Sequence, residues 1–261
     1  MNIKNKHKKM KFKRGQVTIF VIIAVLIIAL VVLAFLVYPK IKTSFSFDDK
    51  NPSAYLEECL KGKAQTALNE IALRGGSLNP ELNYSYNGEK ISYICYTDQY
   101  YLPCVVQQPM LREHMQEEIK NAINSDAKEC FDNLQKKFEG KGYSVQVKGK
   151  ELRIEILPKK IEIFFNGSLI VTKESSTTFN NPGFDLKSNM YDLVSIANSI
   201  LSWETKYGDS ETTVYMTYYP NIKVEKKLQS EGTTVYILTE RNTKEKLQFA
   251  SRSVAWPPGF G

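Results

Sequence analysis

The sequence predicts an α+β fold in which an N-terminal transmembrane helix precedes a domain with two early amphipathic helices and a mostly antiparallel β-sheet carrying one further helix. Three observations predict this fold. A long run near the N terminus is apolar and uncharged, apolar residues then recur at three- and four-residue steps, and the apolar period changes to two in the second half of the chain.

Charge separates the N terminus from the rest of the chain. Residues 1–42 contain nine Lys and Arg and no acidic residue, whereas residues 43–261 contain 26 basic and 28 acidic residues, a net charge of −2. The overall charge of +7 therefore belongs to the N-terminal region. Nucleic-acid binding needs basic residues clustered on the folded part of a protein, so we expect no nucleic-acid partner.

The strongest single signal is residues 17–38, an uncharged run of 22 residues. As a helix rising about 1.5 Å per residue, this run covers the hydrocarbon core of a bilayer, which is about 30 Å thick. We therefore predict a basic tail at 1–15, a transmembrane helix at 16–38 and a stalk at 39–50. A removable signal peptide is the alternative, although its apolar region is ordinarily only about 7 to 15 residues long.

Orientation follows from the charges beside this run. Seven positive charges precede it and two follow it closely. The positive-inside bias places the N terminus in the cytoplasm and everything after Pro39 outside the cell. The predicted localisation is thus the cell membrane, crossed once, with the lipid bilayer as the first partner and an extracytoplasmic C-terminal domain.

The first predicted subdomain, residues 51–142, contains two helices and a hairpin. Asn51 is a suitable N-cap and Pro52 a suitable first helical residue for a helix that ends at Gly75. Residues 91–106 alternate around a turn-like centre and predict a hairpin. A second amphipathic helix is then expected from Pro109 to Glu139.

The second predicted subdomain, residues 143–261, is rich in β-strands. Lys148 lies in a Lys-Gly-Lys segment between two alternating runs, and Asn166-Gly167 lies between two more and suits a type I′ hairpin turn. These patterns predict a β meander. The remaining elements are a loop at 174–183, a helix at 190–203 and strands at 213–219, 222–228, 233–239 and 246–254.

Four cysteines in an external domain are expected to form disulfides, because the outside of the cell is oxidising. Cys59 lies near the start of the first helix and Cys130 near the end of the second, so antiparallel packing brings them level. Cys95 and Cys104 flank the predicted hairpin. Of the three possible pairings we predict Cys59 with Cys130 and Cys95 with Cys104; free buried thiols are the alternative.

The membrane boundary is more specific than a generic anchor requires. Residues 13–20 read KRGQVTIF, a basic stretch ending in Gly, then Gln, then an uninterrupted apolar run. This N terminus resembles the class III signal peptides of archaeal type IV pilin-like proteins, which a prepilin peptidase cleaves. The resemblance implies a cut between Gly15 and Gln16. The pattern departs from that of pilins because Phe20 replaces the acidic residue usual near the fifth mature position and because the helix breaks near Pro39.

Catalytic motifs are absent from the sequence. It contains no GxSxG, HExxH, Walker or GxGxxG pattern and no CxxC pair, and its only histidines are His7 and His114. We expect no cofactor, no metal site and no enzymatic activity, and we interpret His114 as a packed or helix-edge residue. Three pairs of adjacent acids are the remaining candidates for carboxylate chemistry, but such pairs usually solvate a helix face: Asp48-Asp49, Glu57-Glu58 and Glu117-Glu118.

Surface features leave several readings open. Asn83 and Asn166 lie in Asn-x-Ser sites and are possible glycosylation sites, although the turn role is a sufficient explanation for Asn166. Tyr-rich segments near 83–86 and 215–219 suit an aromatic recognition surface or simply strands and core. In the C-terminal AWPPGFG segment, Trp256 suits either docking on a partner or packing against its own sheet.

The leading hypothesis is a membrane-anchored extracytoplasmic structural or interaction protein that meets a protein partner, or another copy of itself, through its outer domain. The first alternative is a pilin-like subunit of a surface filament. The second is an extracytoplasmic hydrolase that uses carboxylates.

Overall fold

A computed structural model describes the backbone of residues 15–37 and 48–257, and the side chains of residues 21–32 and 48–257. Residues 1–14 of the predicted tail, residues 38–47 of the predicted stalk and residues 258–261 lie outside the described residues. The chain forms two compact units, residues 1–46 and residues 47–261. The second unit is α+β with mostly antiparallel sheets, as predicted.

The first unit contains one described helix, α1 (Gly15–Val37). The large apolar side chains described in it are exposed. Where both backbone and side chains are described, no helix is both long and apolar enough to cross a membrane. The transmembrane helix at 16–38 therefore stays a prediction, since part of that segment lies outside the described side chains.

Two amphipathic helices, α2 (Pro52–Leu73) and α3 (Leu111–Gly140), pack together in the second unit. The Asn51 side chain accepts a hydrogen bond of 3.2 Å from the Ala54 N–H, which confirms the predicted N-cap. Both helices bury one apolar stripe, and α3 begins two residues later than predicted. Their shared core includes Leu56, Leu60, Leu68, Ile71, Leu111, Met115, Ile119, Phe131, Leu134 and Phe138.

Both disulfides join the predicted cysteines. Cys59 is bonded to Cys130 with 6.2 Å between the Cα atoms, which ties the beginning of α2 to the later half of α3. Cys95 is bonded to Cys104 with 5.4 Å between the Cα atoms. The helix positions and the closeness of the two segments around residue 98 were thus sufficient to select one pairing of three.

One sheet unites strands from distant parts of the chain. Its order is β1 (Asn83–Tyr86), β2 (Glu89–Tyr96), β10 (Lys246–Arg252), β9 (Thr233–Glu240) and β8 (Ile222–Leu228), and the short β3 (Val105–Val106) also pairs with β2. The β2–β10 pair is parallel and the other pairs are antiparallel. A helix, α4 (Met190–Tyr207), packs against this sheet.

The second sheet has the consecutive antiparallel pairing of the predicted meander, but not the predicted turns. It contains β4 (Ser144–Leu157), β5 (Lys160–Thr172), β6 (Ser176–Asn180) and β7 (Gly183–Lys187), so neither Lys148 nor Asn166-Gly167 is at a hairpin turn. The strand register instead shifts between Lys148 and Glu151. A Cβ on Gly149 would lie 2.6 Å from the Asn166 carbonyl oxygen, so the glycines permit close approach of two strands at a bulge.

Two further elements differ from the prediction. Residues 213–219 were expected to form a strand, but α5 (Thr213–Tyr218) is a short helix. Its N-cap residue, Thr212, makes no side-chain capping bond, but the Glu211 carboxylate accepts hydrogen bonds from the N–H and the hydroxyl of Thr213, the first helical residue. A backbone N–H that has no partner within the helix is thereby satisfied, which favours a helix despite the β-propensity of its residues. The predicted loop at 174–183 contains β6, which pairs with β5.

The two disulfides are expected to stabilise the fold unequally. Cys59 and Cys130 are 71 residues apart and Cys95 and Cys104 are nine apart. Loop-closure entropy predicts that Cys59→Ala/Cys130→Ala lowers the free energy of unfolding by about 4 kcal/mol and Cys95→Ala/Cys104→Ala by about 2.5 kcal/mol. Urea denaturation of the three proteins measures both values. An equal loss, or the reverse order, would contradict the prediction.

Candidate functional site

The loop between β2 and β3 is closed by the Cys95–Cys104 disulfide. Cys95 pairs with Val106 in the sheet, and the loop extends beyond this edge. The bridge reduces the number of conformations open to the residues between the cysteines. It therefore holds in place a segment that, without the bridge, would be a mobile loop.

The C-terminal segment, here residues 252–256, lies along this loop. Backbone hydrogen bonds run from the Thr97 N–H to the Arg252 oxygen (3.1 Å), from the Tyr101 N–H to the Ala255 oxygen (2.9 Å) and from the Val254 N–H to the Leu102 oxygen (2.8 Å). Ser253 Oγ also accepts a hydrogen bond of 2.9 Å from the Cys104 N–H. Loop and C-terminal segment thus form one continuous surface.

The Arg252 side chain packs beneath the rings of Tyr96 and Tyr100 and links the C-terminal segment to the loop. Its side chain is 8% exposed, and the guanidinium lies 6.0 Å from the ring centroid of Tyr96 and 5.4 Å from that of Tyr100. Its N–H groups donate to the carbonyl oxygens of Thr97 and Glu231, the latter at 2.9 Å. Ring faces and carbonyl oxygens stabilise this buried positive charge. The rings above it are consequently fixed in position.

Five large apolar side chains are exposed on this surface: Tyr100, Tyr101, Leu102, Val105 and Trp256. We call them the aromatic patch. Trp256 is 55% exposed, and its ring packs edge-to-face on Tyr101 with 5.1 Å between centroids. The structure thus places Trp256 against the loop, with half of its surface open to solvent.

Two residues of this surface have strained backbone. Tyr101 has φ 62° and Val254 has φ 46°, values that are costly for residues with a Cβ and most costly for a β-branched one. Gly208 and Gly232 make room for this strand end, because a Cβ on Gly208 would lie 2.0 Å from Val254 and one on Gly232 would lie 2.4 Å from Ala255. Such strain persists only where the surrounding structure enforces it.

A buried carboxyl group on α4 is hydrogen-bonded to the strand that leads to the patch. Glu204 of α4 is 2% exposed, accepts a hydrogen bond from the Tyr236 hydroxyl and another of 3.1 Å from Ser251 Oγ, and its carbonyl oxygen accepts one of 3.0 Å from Ser253 Oγ. Burial raises the pKa of Glu204, although both hydrogen bonds to its carboxylate act in the opposite direction. Burial and the nearby Glu204 charge also raise the pKa of Tyr236.

His114 has a partner that the sequence did not reveal. Its Nε2 lies 2.7 Å from Ser77 Oγ, while Glu118, one turn later on α3, accepts a hydrogen bond of 2.8 Å from the Leu78 N–H. In the described part of the chain, no carboxylate accepts a hydrogen bond from the other ring nitrogen of His114. The Ser77–His114 and Leu78–Glu118 hydrogen bonds fasten the turn after α2 to α3.

The paired acids occupy separate places. Asp49 accepts a hydrogen bond of 2.7 Å from the Tyr143 hydroxyl, Glu57 pairs with Lys61 at 3.0 Å, and Glu117 pairs with Lys120 at 3.3 Å. Asp49 lies before the first residue of α2, whereas Glu118 contacts Leu78, which follows the last residue of α2. The two ends of this helix of 22 residues are about 30 Å apart. Within the described residues, no group of three or more His, Cys, Asp or Glu is arranged to hold a metal ion.

The two candidate glycosylation sites differ in accessibility. The Asn83 side-chain nitrogen donates to the carbonyl oxygens of Pro80 (2.9 Å) and Glu81 (3.1 Å) in β1. Asn166 is exposed in the middle of β5. Glycosylation of either residue stays a prediction, and so does processing between Gly15 and Gln16, whose side chains lie outside the described residues.

Comparison with known proteins returns no relative: no protein-family model, curated protein or solved structure matches this chain.

The buried Glu204 predicts a specific pH dependence of stability. A carboxyl group whose folded-state pKa is raised contributes stability that is fully present below its unfolded pKa of about 4.3 and is lost as the pH rises through the folded-state value. Glu204→Gln cannot ionise, so its free energy of unfolding is expected to rise relative to wild type between these two pKa values. Urea denaturation at a series of pH values measures this difference.

Glu211→Gln is a control for which the expected change in stability with pH has the opposite sign. Hydrogen bonds from Thr213 lower the pKa of Glu211, so Glu211→Gln is expected to lose stability relative to wild type as the pH rises through that pKa. A difference between Glu204→Gln and wild type that does not change with pH would show that Glu204 does not titrate as proposed.

Proposed function

We propose that this chain is a single-pass, membrane-anchored extracytoplasmic protein that binds a protein partner through the aromatic patch. The observation that carries the proposal is a group of exposed Tyr, Trp and aliphatic side chains, including the packed pair Tyr101 and Trp256, on the disulfide-closed loop, β3 and the segment hydrogen-bonded to the loop. Tyr and Trp are the side chains that most often dominate protein–protein binding energy. A loop fixed before binding loses little conformational entropy when a partner docks.

The anchor part of the proposal depends on the N-terminal sequence. Residues 17–38 are uncharged and the positive charges ahead of them favour a cytoplasmic N terminus. Exposed apolar side chains on residues 21–32 of α1 are what a helix surrounded by lipid presents. In this proposal the tail sets the topology, the helix tethers the chain and the disulfides stabilise the outer unit without any catalytic role.

A filament subunit is the second candidate, because of the KRGQ sequence at residues 13–16. Its resemblance to a class III signal peptide favours processing between Gly15 and Gln16. The separate helices α1 and α2, with an N-cap at Asn51, differ from the single long helix of pilins. This candidate therefore depends on the N-terminal sequence alone.

The partner surface can be tested by site-specific photo-crosslinking in native cells. A photoreactive amino acid at Val105, which is 66% exposed, is expected to cross-link one discrete species, and Tyr101→Ala/Trp256→Ala to reduce its yield at least about tenfold, the equivalent of 1.4 kcal/mol of binding energy. Tyr218→Ala/Tyr219→Ala removes two exposed rings elsewhere and serves as the control. Equal yields from all three proteins would contradict the proposal.

The anchor can be tested in sealed cells. Added protease is expected to digest the part following Pro39 while the protein pellets with membranes after alkaline extraction, since the helix is predicted to cross the bilayer once. The mass of the native N terminus separates the candidates. An intact Met1 supports the simple anchor, whereas a chain starting at Gln16 supports the filament subunit. A protein that stays in solution would contradict both.

A further inference from the structure

Two surface cavities adjoin on the side of the second unit formed by the β9–β10 turn. The lysine cavity, about 440 Å³, is lined by Gln65, Asn69, Leu73, Lys187, Thr243, Lys244, Glu245 and Lys246. The tyrosine cavity, also about 440 Å³, is lined by Lys159, Asn189, Asp192, Tyr218, Tyr219, Pro220, Asn221, Ile222, Glu240, Asn242 and Thr243. Thr243 lines both cavities.

Two chain segments form the ridge between these cavities. In residues 187–189, Lys187 lines the lysine cavity and Asn189 lines the tyrosine cavity. In residues 242–246, Lys244 lines the lysine cavity and Asn242 lines the tyrosine cavity. The Glu245 carboxylate fastens the two segments, because it accepts hydrogen bonds from the Ser188 hydroxyl and, at 2.6 Å, from the Asn189 N–H. A molecule longer than one cavity is able to contact both sides of the ridge.

The lysine cavity is electropositive. Lys187, Lys244 and Lys246 form no ion pair with any carboxylate in the described part of the chain. Glu245 is the single acid among the residues lining this cavity, and both of its oxygens are engaged by the ridge. Three ammonium groups around one concave surface attract an anion, most strongly at low ionic strength.

Backbone geometry supports a role for Lys244 outside folding. Lys244 has φ 63°, a conformation that Gly or Asn adopts at lower cost. The turn itself is secured by Glu240, whose carboxylate accepts hydrogen bonds from the N–H groups of Asn242 and Thr243. Lys244 takes part in the turn through its backbone, because its N–H donates a hydrogen bond of 2.9 Å to the Glu240 carbonyl oxygen. Its side chain is one of those that line the lysine cavity.

The tyrosine cavity adds a surface suited to sugar rings. Tyr218 is 77% exposed and Tyr219 is half exposed. Among the described residues, neither ring packs on another aromatic ring or a cation. The C–H faces of a sugar ring pack on aromatic rings, and an amide side chain such as that of Asn221 hydrogen-bonds to sugar hydroxyls. Both acids at this cavity already have partners: Asp192 pairs with Lys159 at 2.8 Å, and Glu240 accepts hydrogen bonds within its own turn.

We propose that the two cavities together bind an acidic glycan, a chain of sugar rings that carry carboxylate or sulfate groups. The lysines contact the anionic groups and the tyrosines pack on a neighbouring ring across the ridge. A glycan is favoured over an anionic lipid head or a nucleic acid because the aromatic and amide-lined cavity adjoins the cationic one, on a unit whose overall charge is close to neutral. This site is separate from the aromatic patch.

Isothermal titration calorimetry of the full chain in nonionic detergent tests the proposal, with tetragalacturonate as the acidic probe and maltotetraose as the neutral one. We expect tetragalacturonate to bind and maltotetraose not to bind. Lys187→Gln/Lys244→Asn/Lys246→Gln should weaken binding at least about tenfold. The Asn at 244 suits the positive φ, so this variant is expected to fold. Tyr218→Ala/Tyr219→Ala should weaken binding about threefold or more while leaving the affinity for inorganic sulfate unchanged.

Lys90→Gln/Lys128→Gln/Lys136→Gln is the matched control, because it changes the net charge equally at exposed lysines outside both cavities. It should bind tetragalacturonate within about twofold of wild type. An equal loss in the two lysine variants, or no binding by wild type, would overturn the site. Tighter binding of oligothymidylate, or of vesicles of equal phosphatidylglycerol and phosphatidylcholine, would overturn the glycan. Tyr101→Ala/Trp256→Ala should bind normally, so this proposal and the partner surface fail separately.

Discussion

The second unit depends on one strand, β10, which lies between β2 and β9 in the first sheet. Almost all of its side chains are buried, and three of the polar ones bond to different parts of the fold. Gln248 donates a hydrogen bond to the Leu73 oxygen at the end of α2, Ser251 donates to Glu204 of α4, and Arg252 fixes the loop that carries the aromatic patch. The side-chain hydrogen bonds of β10 therefore connect α2, α4 and the loop that carries the aromatic patch.

The sequence predicted those features that depend on local chemistry. The Asn51 cap, the stripes of α2 and α3 and the Cys59–Cys130 bridge follow from short-range periodicity and from residue types with strong positional preferences. The hairpin turn at Asn166-Gly167 was wrong because the same dipeptide that suits a tight turn also suits a bulge where two strands approach closely. Tertiary context decides between these two uses of glycine.

The candidate sites were less predictable than the fold. Trp256 drew notice in the sequence as part of an unusual C-terminal segment, but the importance of Arg252 appears only after β10 brings it beneath Tyr96 and Tyr100. The lysine cavity gathers residues of β7 and the β9–β10 turn against α2, and the contact between Ser77 and His114 likewise joins distant positions. The spacing of residues in the sequence does not show that these distant positions meet in the fold. The positive φ angles of Tyr101, Val254 and Lys244, which are visible only in the structure, point to the two sites.

The parallel pairing of β2 with β10 has a consequence for how the protein is made. β2 is synthesised well before β10, yet the two are neighbours in the sheet. Until residue 252 has emerged, β2 and β9 lack the strand that separates them, and their unpaired edges are open to mispairing with other chains. The helical pair is complete much earlier, by residue 140. The two helices can therefore pair first, but their apolar faces stay partly uncovered until β4, β7 and β10, which pack against them, have been made.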